Sequence, residues 1–183
     1  MNILVAYASK HGATKGIAEF IGEKLRTRGL DVNVFDVGQV DEPVRYDAFV
    51  VGSALYMGQW MKEAKQFVSK NRILLSRRPV WLFSSGPTGK ERRNKKGQDL
   101  LDASVSGPTD LLKIERGLLV RDHRVFFGAF DPKNLGFFSR QFFKSATIRE
   151  ASPVGDFRDW KEIESWTDGI ASTLIPATFL HSL

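Results

Sequence analysis

The pattern that most constrains the fold stands at the beginning of the chain. The segment Asn2–Ala8 forms an apolar run, which is typical of a strand covered on both faces within a parallel sheet. A short polar loop, Ser9–Gly12, follows it, and a helical pattern comes next. The apolar side chains of that pattern fall on one helical face: Ile17, Phe20, Ile21 and Leu25. The chain therefore opens with a strand, a tight loop and an amphipathic helix.

The alternation of strands and helices continues along the chain. Four further strands are predicted: Asp31–Val37, Asp47–Ser53, Pro79–Ser84 and Arg124–Phe130. Two further helices are predicted at Gln59–Asn71 and Asp159–Leu174. Strands that alternate with helices imply a parallel sheet with right-handed crossovers. The predicted fold class is α/β: a flavodoxin-like, doubly wound, five-stranded parallel sheet in the order 2-1-3-4-5, with helices on both faces.

Two segments lie outside this minimal pattern. Pro87–Gly117 is a polar insertion, rich in Gly and Lys, between the fourth and fifth predicted strands. Leu135–Ala146 is rich in aromatic residues and is predicted to be helical. We find no internal repeat, and no linker long enough to divide the chain. Because 183 residues are readily organised around one core, residues 1–183 are predicted to form a single flavodoxin-like domain with an insertion at about 87–117.

The composition narrows the classes of function. Hydrophobic residues make up 42% of the chain and charged residues 26%, as in ordinary globular proteins. No apolar run approaches the roughly 20 residues that cross a bilayer, and no basic region precedes Asn2–Ala8 as in a signal peptide, so a cytoplasmic location is expected. The lack of cysteine excludes disulfides, and three scattered histidines argue against a His-based metal site. The net charge of +6 fits an anionic partner, or a basic surface without a specific partner.

Ligands of doubly wound sheets bind at the carboxyl ends of the strands, where the strand order reverses. The loops after the first, third and fourth predicted strands are therefore the candidate site. The first loop consists of Ser9, Lys10, His11, Gly12, Ala13 and Thr14. The second consists of Ser53, Ala54, Leu55, Tyr56, Met57 and Gly58. The third consists of Ser84, Ser85, Gly86, Pro87, Thr88 and Gly89.

The first loop has the features of a phosphate site built largely from neutral donors. It joins a buried strand to a helix N-terminus, where unpaired backbone N–H groups and the helix dipole attract an anion. Ser9 and Thr14 add hydroxyl donors, and Gly12 lets the backbone approach closely. The spacing of the glycines fits neither a P-loop nor a dinucleotide fingerprint. The alternative is that Ser9 and Thr14 only cap the helix, which would not require matching loops after the third and fourth strands. His11 is interpreted as a positioning or surface residue.

The other two loops suit a flat, partly polar ligand. Tyr56 and Met57 supply the flat or polarisable wall that a heterocycle packs against. Trp60 fits the buried face of the following helix equally well, so Tyr56 is the stronger candidate for the wall. The serines, glycines and threonine of the third loop offer backbone and hydroxyl donors to a polar ring edge.

The residues of these loops resemble a known family. The segment from Val5 to Thr14, with Ile17–Ala18 behind it, is similar to the FMN-phosphate signature of flavodoxins. Further segments resemble the menaquinone-dependent protoporphyrinogen dehydrogenase branch of the flavodoxin-like family: Val51–Gly58, Phe67–Val68, Gly128–Pro132 and Asp159–Trp160. The resemblance implies FMN as the cofactor and two-electron chemistry between an organic substrate and a quinone, as in a flavoprotein of heme biosynthesis. It implies that the flavin, and no catalytic side chain or metal, carries the chemistry.

Two segments are candidates for contact with larger partners. The basic run Lys90–Lys96 is interpreted as a solvated loop, or as a surface that attracts an anionic substrate or headgroup. It lacks interleaved aromatic residues, which argues against nucleic acid. The aromatic segment would cover the edge of the sheet, or would lie at the inner face of the membrane, where a quinone acceptor resides. Its candidate membrane-contacting residues are Phe137, Phe138, Arg140, Phe142, Phe143 and Lys144.

The leading hypothesis is an FMN-dependent oxidoreductase that passes electrons from a reduced, protoporphyrinogen-like substrate through FMN to a quinone. The protein would supply orientation and electrostatics. Two alternatives stay open: a non-enzymatic flavodoxin-type electron carrier, against which the basic charge argues, and an NAD(P)H-fed quinone reductase. A phospho-acceptor receiver domain is disfavoured because Ser9 and Ser53 stand where its carboxylates would be needed.

Overall fold

The structure is a computed structural model, and it describes residues 1–56, 58–86, 88–89, 101, 114–131 and 154–175. Several sequence-based predictions fall outside these residues. They are the predictions for Met57 and Pro87, for the basic run Lys90–Lys96 within the insertion, and for the aromatic segment Leu135–Ala146.

The described strands form one main sheet and a short separate ribbon. In chain order the strands are β1 (Asn2–Ala8), β2 (Asp31–Asp36), β3 (Ala48–Tyr56), β4 (Gln59–Trp60), β5 (Val80–Ser85), β6 (Val120–Phe126), β7 (Ala129–Phe130) and β8 (Gly155–Asp156). The main sheet runs in the order β2-β1-β3-β5-β6, and these neighbours are parallel. This confirms the predicted fold class and strand order. Strand β4 folds back on β3, and β7 pairs with β8, both antiparallel.

Helices cover both faces of the sheet. They are α1 (Ala13–Thr27), α2 (Lys62–Lys70), α3 (Arg72–Leu75) and α4 (Trp160–Leu174). Helices α1 and α4 lie on one face, where Ile3, Val5, Val50 and Phe83 meet the helical residues Ile17, Ile21, Ile163 and Ile170. Helix α2 lies on the other face, where Leu4, Phe49, Val51 and Leu82 meet Ala64, Phe67 and Val68. Because central strands bury side chains on both faces, their sequences read as apolar runs rather than alternating ones.

Two predicted elements are wrong in their boundaries. The predicted helix at Gln59–Asn71 begins only at Lys62, because Gly58 adopts a positive φ of 74° and Gln59–Trp60 pairs with the end of β3. The predicted fifth strand at Arg124–Phe130 is β6, which begins at Val120, ends at Phe126 and is separate from β7. Its first half is polar because β6 is an edge strand, which does not need apolar side chains on both faces.

The end of β3 is a further correction that bears on the site. Ser53, Ala54, Leu55 and Tyr56 are the last residues of β3 rather than a loop, and Ser84 and Ser85 likewise end β5. The strand is longer than predicted because β4 pairs antiparallel with its last two residues, which keeps them extended. Within the described part of the chain, no helix is long and apolar enough to cross a membrane.

Candidate functional site at the carboxyl edge of the sheet

The register of the parallel strands brings the predicted loops to one edge. Ala8, the last residue of β1, pairs with Ser53, and Ser53 pairs with Ser84. The first loop contacts the second there, since the His11 and Tyr56 rings meet edge to face with centroids 6.5 Å apart. Lys10 Nζ lies 6.0 Å from the centroid of the Tyr56 ring. The structure therefore brings the end of β3 against the loop that follows β1.

The second and third loops are also neighbours. A Cβ atom placed on Gly86 would stand 3.6 Å from the carbonyl oxygen of Leu55. The Gly86 N–H donates to the carbonyl oxygen of Phe126 at 3.0 Å, which ties the end of β5 to the end of β6. Gly86 has a positive φ of 130°, so a side chain there would be strained even without the close neighbour. Thr88 and Gly89 of the third loop are half-buried.

The first loop turns tightly into α1. Gly12 is the N-cap residue and adopts a left-handed φ of 88°, which favours glycine. Its N–H donates to Ser9 Oγ at 3.1 Å, so the Ser9 hydroxyl folds back over the loop as an acceptor and keeps its own proton to donate. The first intrahelical bond runs from Gly16 N to the Gly12 carbonyl at 2.9 Å. The N–H groups of residues 13–15 consequently lack partners within the helix.

Thr14 is the residue of this loop whose environment is most unusual. Its side chain is 1% exposed, and its hydroxyl has no hydrogen-bond partner among the residues that the structure describes. Buried polar groups are nearly always paired, and an unpaired one usually indicates a missing ligand, water or ion. No acidic side chain occupies the first turn of α1. The donor set at this helix N-terminus is thus suited to a bound anion.

Tyr56 presents a flat wall beside this anion site. Its side chain is 43% exposed, which leaves part of the ring open to a ligand. Burial of the remaining part raises the pKa of its phenol, so the ring stays neutral at physiological pH. A neutral aromatic face of this kind packs favourably against a planar heterocycle.

Two of the predicted site serines use their hydroxyls inside the protein. Ser53 Oγ accepts from the Met61 N–H at 2.9 Å and donates to the Ala54 carbonyl at 3.0 Å. Ser84 Oγ accepts from Trp60 Nε1 at 2.8 Å. Both side chains are fully buried. These two positions can therefore offer a ligand only backbone groups, and their inclusion in the site stays a prediction.

Arg158 is a residue at this edge that sequence reasoning missed. Its Nη1 donates to the carbonyl oxygen of Ala13 at 3.3 Å, at the start of α1. Two of its nitrogens bond the Asp156 carboxylate at 2.6 and 2.8 Å, and these bonds hold the pKa of Asp156 below its usual value. Its guanidinium also lies 4.4 Å from the Trp160 ring centroid. Because Ala13 and Arg158 are distant in sequence, the only local signal is the Asp-Phe-Arg-Asp segment before α4.

A cleft of about 590 Å³ opens beside the first loop, between α1 and the β7–β8 ribbon. Its lining includes His11, Gly12, Phe130, Asp131 and Arg158. Phe130 and Asp131 belong to a segment singled out above for its resemblance, whereas Arg158 does not. The first loop thus contacts Tyr56 through His11 and also lines this cleft.

Solved structures of flavodoxins have the same fold. Oxidised flavodoxin 2 from Bacillus cereus superimposes with a TM-score of 0.60 at 20% identity, covering 94% of this chain and 99% of that one. A flavodoxin from the domain Archaea gives a TM-score of 0.58 at 17% identity, covering 95% and 99% of the two chains. At such identities the likeness establishes the fold alone. Fold and site geometry together define a flavodoxin-fold α/β protein.

The family is established by sequence. A sequence model of the flavodoxin domain matches residues 4–151, and the chain belongs to this flavodoxin-domain family. The chain is also similar to protoporphyrinogen IX dehydrogenase (quinone) of Escherichia coli K12, at 27% identity over 86 residues. That match covers 46% of this chain and 48% of the relative, so the chain spans about half the length of the curated relatives it matches. These findings support a flavoprotein of the oxidoreductase or electron-carrier kind.

Proposed function

We propose that this protein binds FMN at the carboxyl edge of its sheet and acts as an FMN-dependent oxidoreductase. The observation that carries the proposal is the buried hydroxyl of Thr14, which lacks a partner within the described chain and lies in the first turn of α1. Burying an unpaired hydroxyl costs folding free energy, so a ligand that pairs with the Thr14 hydroxyl best explains its position. The family to which the chain belongs supports a flavin as that ligand.

The first loop would hold the FMN phosphate. The N–H groups of residues 13–15, which have no partner within the helix, and the hydroxyls of Ser9 and Thr14 are its donors. Among the described residues, no atom lies within 4 Å of the place that a Gly12 Cβ would occupy, so the space beside the turn is open to the phosphate. Lys10 is exposed at the edge of the loop and adds positive charge. Such a set of donors suits a dianion, because hydrogen bonds to charged groups are stronger than those between neutral groups.

The flavin ring would lie between the ends of β3 and β5. Tyr56 supplies the aromatic wall, while Ala54, Leu55 and Gly86 supply a backbone that a planar ring can approach closely. When bound, FMN supplies two-electron oxidation and reduction chemistry. The chain's own residues would orient the ring, exclude water from one of its faces and fix the phosphate.

The substrate of the proposed enzyme is a porphyrinogen, with a quinone as the electron acceptor. Support comes from the similarity to the Escherichia coli dehydrogenase and from the segments Val51–Gly58 and Gly128–Pro132. An anaerobic assay with protoporphyrinogen IX and a menaquinone tests this part. We expect porphyrinogen oxidation that depends on added FMN and is matched by quinone reduction. Retained FMN binding without turnover would contradict the substrate assignment and favour an electron carrier.

Substitution of the two hydroxyl residues tests the phosphate site. The double variant Ser9→Ala/Thr14→Ala should bind FMN more weakly by a few kcal/mol at most, since each hydrogen bond contributes about 1 kcal/mol and more when charge-assisted. The matched control is Thr27→Ala at the opposite end of α1, whose hydroxyl donates to the Lys24 carbonyl. The control should bind FMN like the unaltered protein. Unchanged affinity in the double variant would show that the phosphate lies elsewhere.

A further inference from the structure

A line of four hydrogen-bonded side chains runs beneath the proposed flavin site. Trp60 Nε1 lies 2.8 Å from Ser84 Oγ, and Ser84 Oγ lies 3.0 Å from His123 Nε2. On the other side of the imidazole, His123 Nδ1 lies 2.6 Å from a carboxylate oxygen of Glu115. Trp60 and Ser84 are 2% and 0% exposed, and the His123 side chain is 8% exposed. The line therefore starts in the core and ends at the half-buried Glu115.

The succession of carboxylate, imidazole and serine resembles that of a hydrolase triad, but it cannot work as one. A nucleophilic serine must expose its oxygen to the substrate. Ser84 Oγ is fully buried and already accepts the indole N–H of Trp60. The group can therefore act on a ligand only through the residues that it holds in place.

The hydrogen bonds of this line all donate in one direction, from Trp60 through Ser84 and His123 to Glu115. The indole N–H of Trp60 can only donate, so Ser84 Oγ accepts it and its own hydroxyl proton is left to give. The acceptor in reach is His123 Nε2, which requires that nitrogen to be unprotonated. The imidazole proton then lies on Nδ1 and is donated to the Glu115 carboxylate. Every hydrogen bond in the line is satisfied when His123 is neutral and carries its proton on Nδ1.

Charged groups near the imidazole come from two elements. Glu115, at the end of the helical stretch before β6, is the charged group that faces the ring among the described residues. Ser84 of β5 and Trp60 of β4 are neutral. Asp122 and Arg124 on β6 itself point to the opposite face, where Asp122 bonds Trp166 of α4.

Trp60 connects this line to the proposed flavin wall. It pairs with Leu55 in the β3–β4 hairpin, one residue before Tyr56, and the next residue, Met61, donates its N–H to Ser53 Oγ. Ser53 and Ser84 are register partners on neighbouring strands. Two adjacent serine hydroxyls therefore fasten the return of the hairpin to the sheet, and one of them depends on His123.

We propose that His123 is a positioning residue for the FMN site: its Nε2 accepts the Ser84 hydroxyl and so orders the Ser84–Trp60 contact that holds the Tyr56 hairpin. This inference rests on the proposed function for its ligand. Its structural part, the link between His123 and Trp60, does not.

Two-dimensional NMR of the indole N–H signals of the apoprotein tests the link without flavin. In His123→Ala the Trp60 signal should shift and broaden, because the Ser84 hydroxyl loses the acceptor that fixes its orientation. His123→Gln, whose amide oxygen can accept the same hydroxyl, should keep the Trp60 signal close to that of the unaltered protein. Trp166, bonded to Asp122 on the other face of β6, is the internal control and should not move in either variant. A Trp60 signal that is the same in all three proteins would overturn the inference.

FMN titrations of the same three proteins test the consequence. His123→Ala should bind FMN about tenfold more weakly than the unaltered protein, as for the loss of one hydrogen bond, whereas His123→Gln should bind FMN nearly as well as the unaltered protein. Equal FMN affinity in all three proteins would overturn the positioning role. Absence of FMN binding by all three would instead overturn the proposed function, and the NMR result would still decide whether His123 orders the Trp60 contact.

Discussion

Thr14 carries a buried hydroxyl that is unpaired within the described chain, and such a group costs about 1–3 kcal/mol of folding free energy. Thr14→Val keeps the shape of the side chain and removes the hydroxyl. We expect the apoprotein to be as stable as before or more stable by about 1 kcal/mol, and FMN to bind about tenfold more weakly. Urea unfolding of the apoprotein and FMN titration measure the two effects.

The control for this substitution is another buried threonine. Thr167 is also 1% exposed, but its hydroxyl donates to the Ile163 carbonyl at 2.7 Å, and it lies in α4. Thr167→Val should lower the free energy of unfolding by about 1 kcal/mol and leave FMN affinity unchanged. If Thr14→Val destabilises the apoprotein like the control and does not alter FMN binding, the Thr14 hydroxyl has a structural role only.

Gly52 tests the packing directly beneath the site. A Cβ atom at Gly52 would stand 2.0 Å from Cζ of the fully buried Phe83, its register partner on β5. Gly52→Ala should therefore lower the free energy of unfolding by about 1–3 kcal/mol, because the ring must leave its place. Gly169→Ala is the matched control: no atom of the described part of the chain lies within 4 Å of its Cβ position in α4, so alanine should stabilise the helix by up to about 1 kcal/mol. Equal effects in urea unfolding would refute the packing argument.

At the scale of elements, the central strands were predictable and the edge was not. β1, β3 and β5 bury both faces, so Asn2–Ala8 and its counterparts appear as apolar runs in the sequence. β6 contains Arg121, Asp122, His123 and Arg124. An edge strand tolerates these polar residues, but they lack the apolar pattern of a strand, so the first half of β6 was not predicted. β4 was hidden because the buried Trp60 suits a helical face as well as a hairpin.

For the candidate site, the meeting of the three segments at one edge was predictable, while their role in binding a ligand stays a prediction. The three loops follow from topology, since parallel strands end at one edge. Arg158 and the His123 line were not predictable, because their partners are far apart in the sequence: Ser84 and His123 are separated by 39 residues, and Ala13 and Arg158 by 145. Local sequence patterns indicate periodicity and helix caps, whereas these contacts form between residues that only the folded sheet brings together.

The connection between β8 and α1 carries a pH-dependent contribution to stability. Hydrogen bonds from Arg158 hold the folded-state pKa of Asp156 below its usual value. The pair therefore stabilises the fold above the unfolded-state value of about 3.9, and this contribution is lost as the pH falls through the lowered folded-state value. Asp156→Asn should thus reduce the free energy of unfolding at neutral pH, and the difference from the unaltered protein should vanish at strongly acidic pH.

The control for this pH dependence uses the partner residue. In an Arg158→Ala background, Asp156→Asn should have a much smaller effect at neutral pH, because the side-chain hydrogen bonds, which are the largest cause of the lowered pKa, are already gone and only the bond from the backbone N–H of residue 158 remains. Unfolding free energies of the four proteins across the acidic range measure this. A difference that persists at the lowest pH, or that is the same in both backgrounds, would contradict the role of the pair.

For the whole molecule, the net charge of +6 and the sequence of Leu135–Ala146, which lies outside the described residues, are the basis of the hypothesis that the protein contacts an anionic membrane surface. We expect the protein to sediment with vesicles of anionic lipid at low salt and to dissociate at high salt. Phe138→Ser/Phe142→Ser should weaken sedimentation, because it removes the apolar part of the contact. Failure to sediment at low salt would eliminate the membrane contact and leave the FMN site unaffected.

The central claim is that the chain holds FMN at the carboxyl edge of its sheet, and a direct binding measurement tests it. The purified protein, titrated with FMN while the flavin absorbance and fluorescence are followed, should bind one FMN per chain, turn yellow and release intact FMN on denaturation. A colourless protein with no measurable FMN affinity would contradict both the oxidoreductase and the electron-carrier assignments.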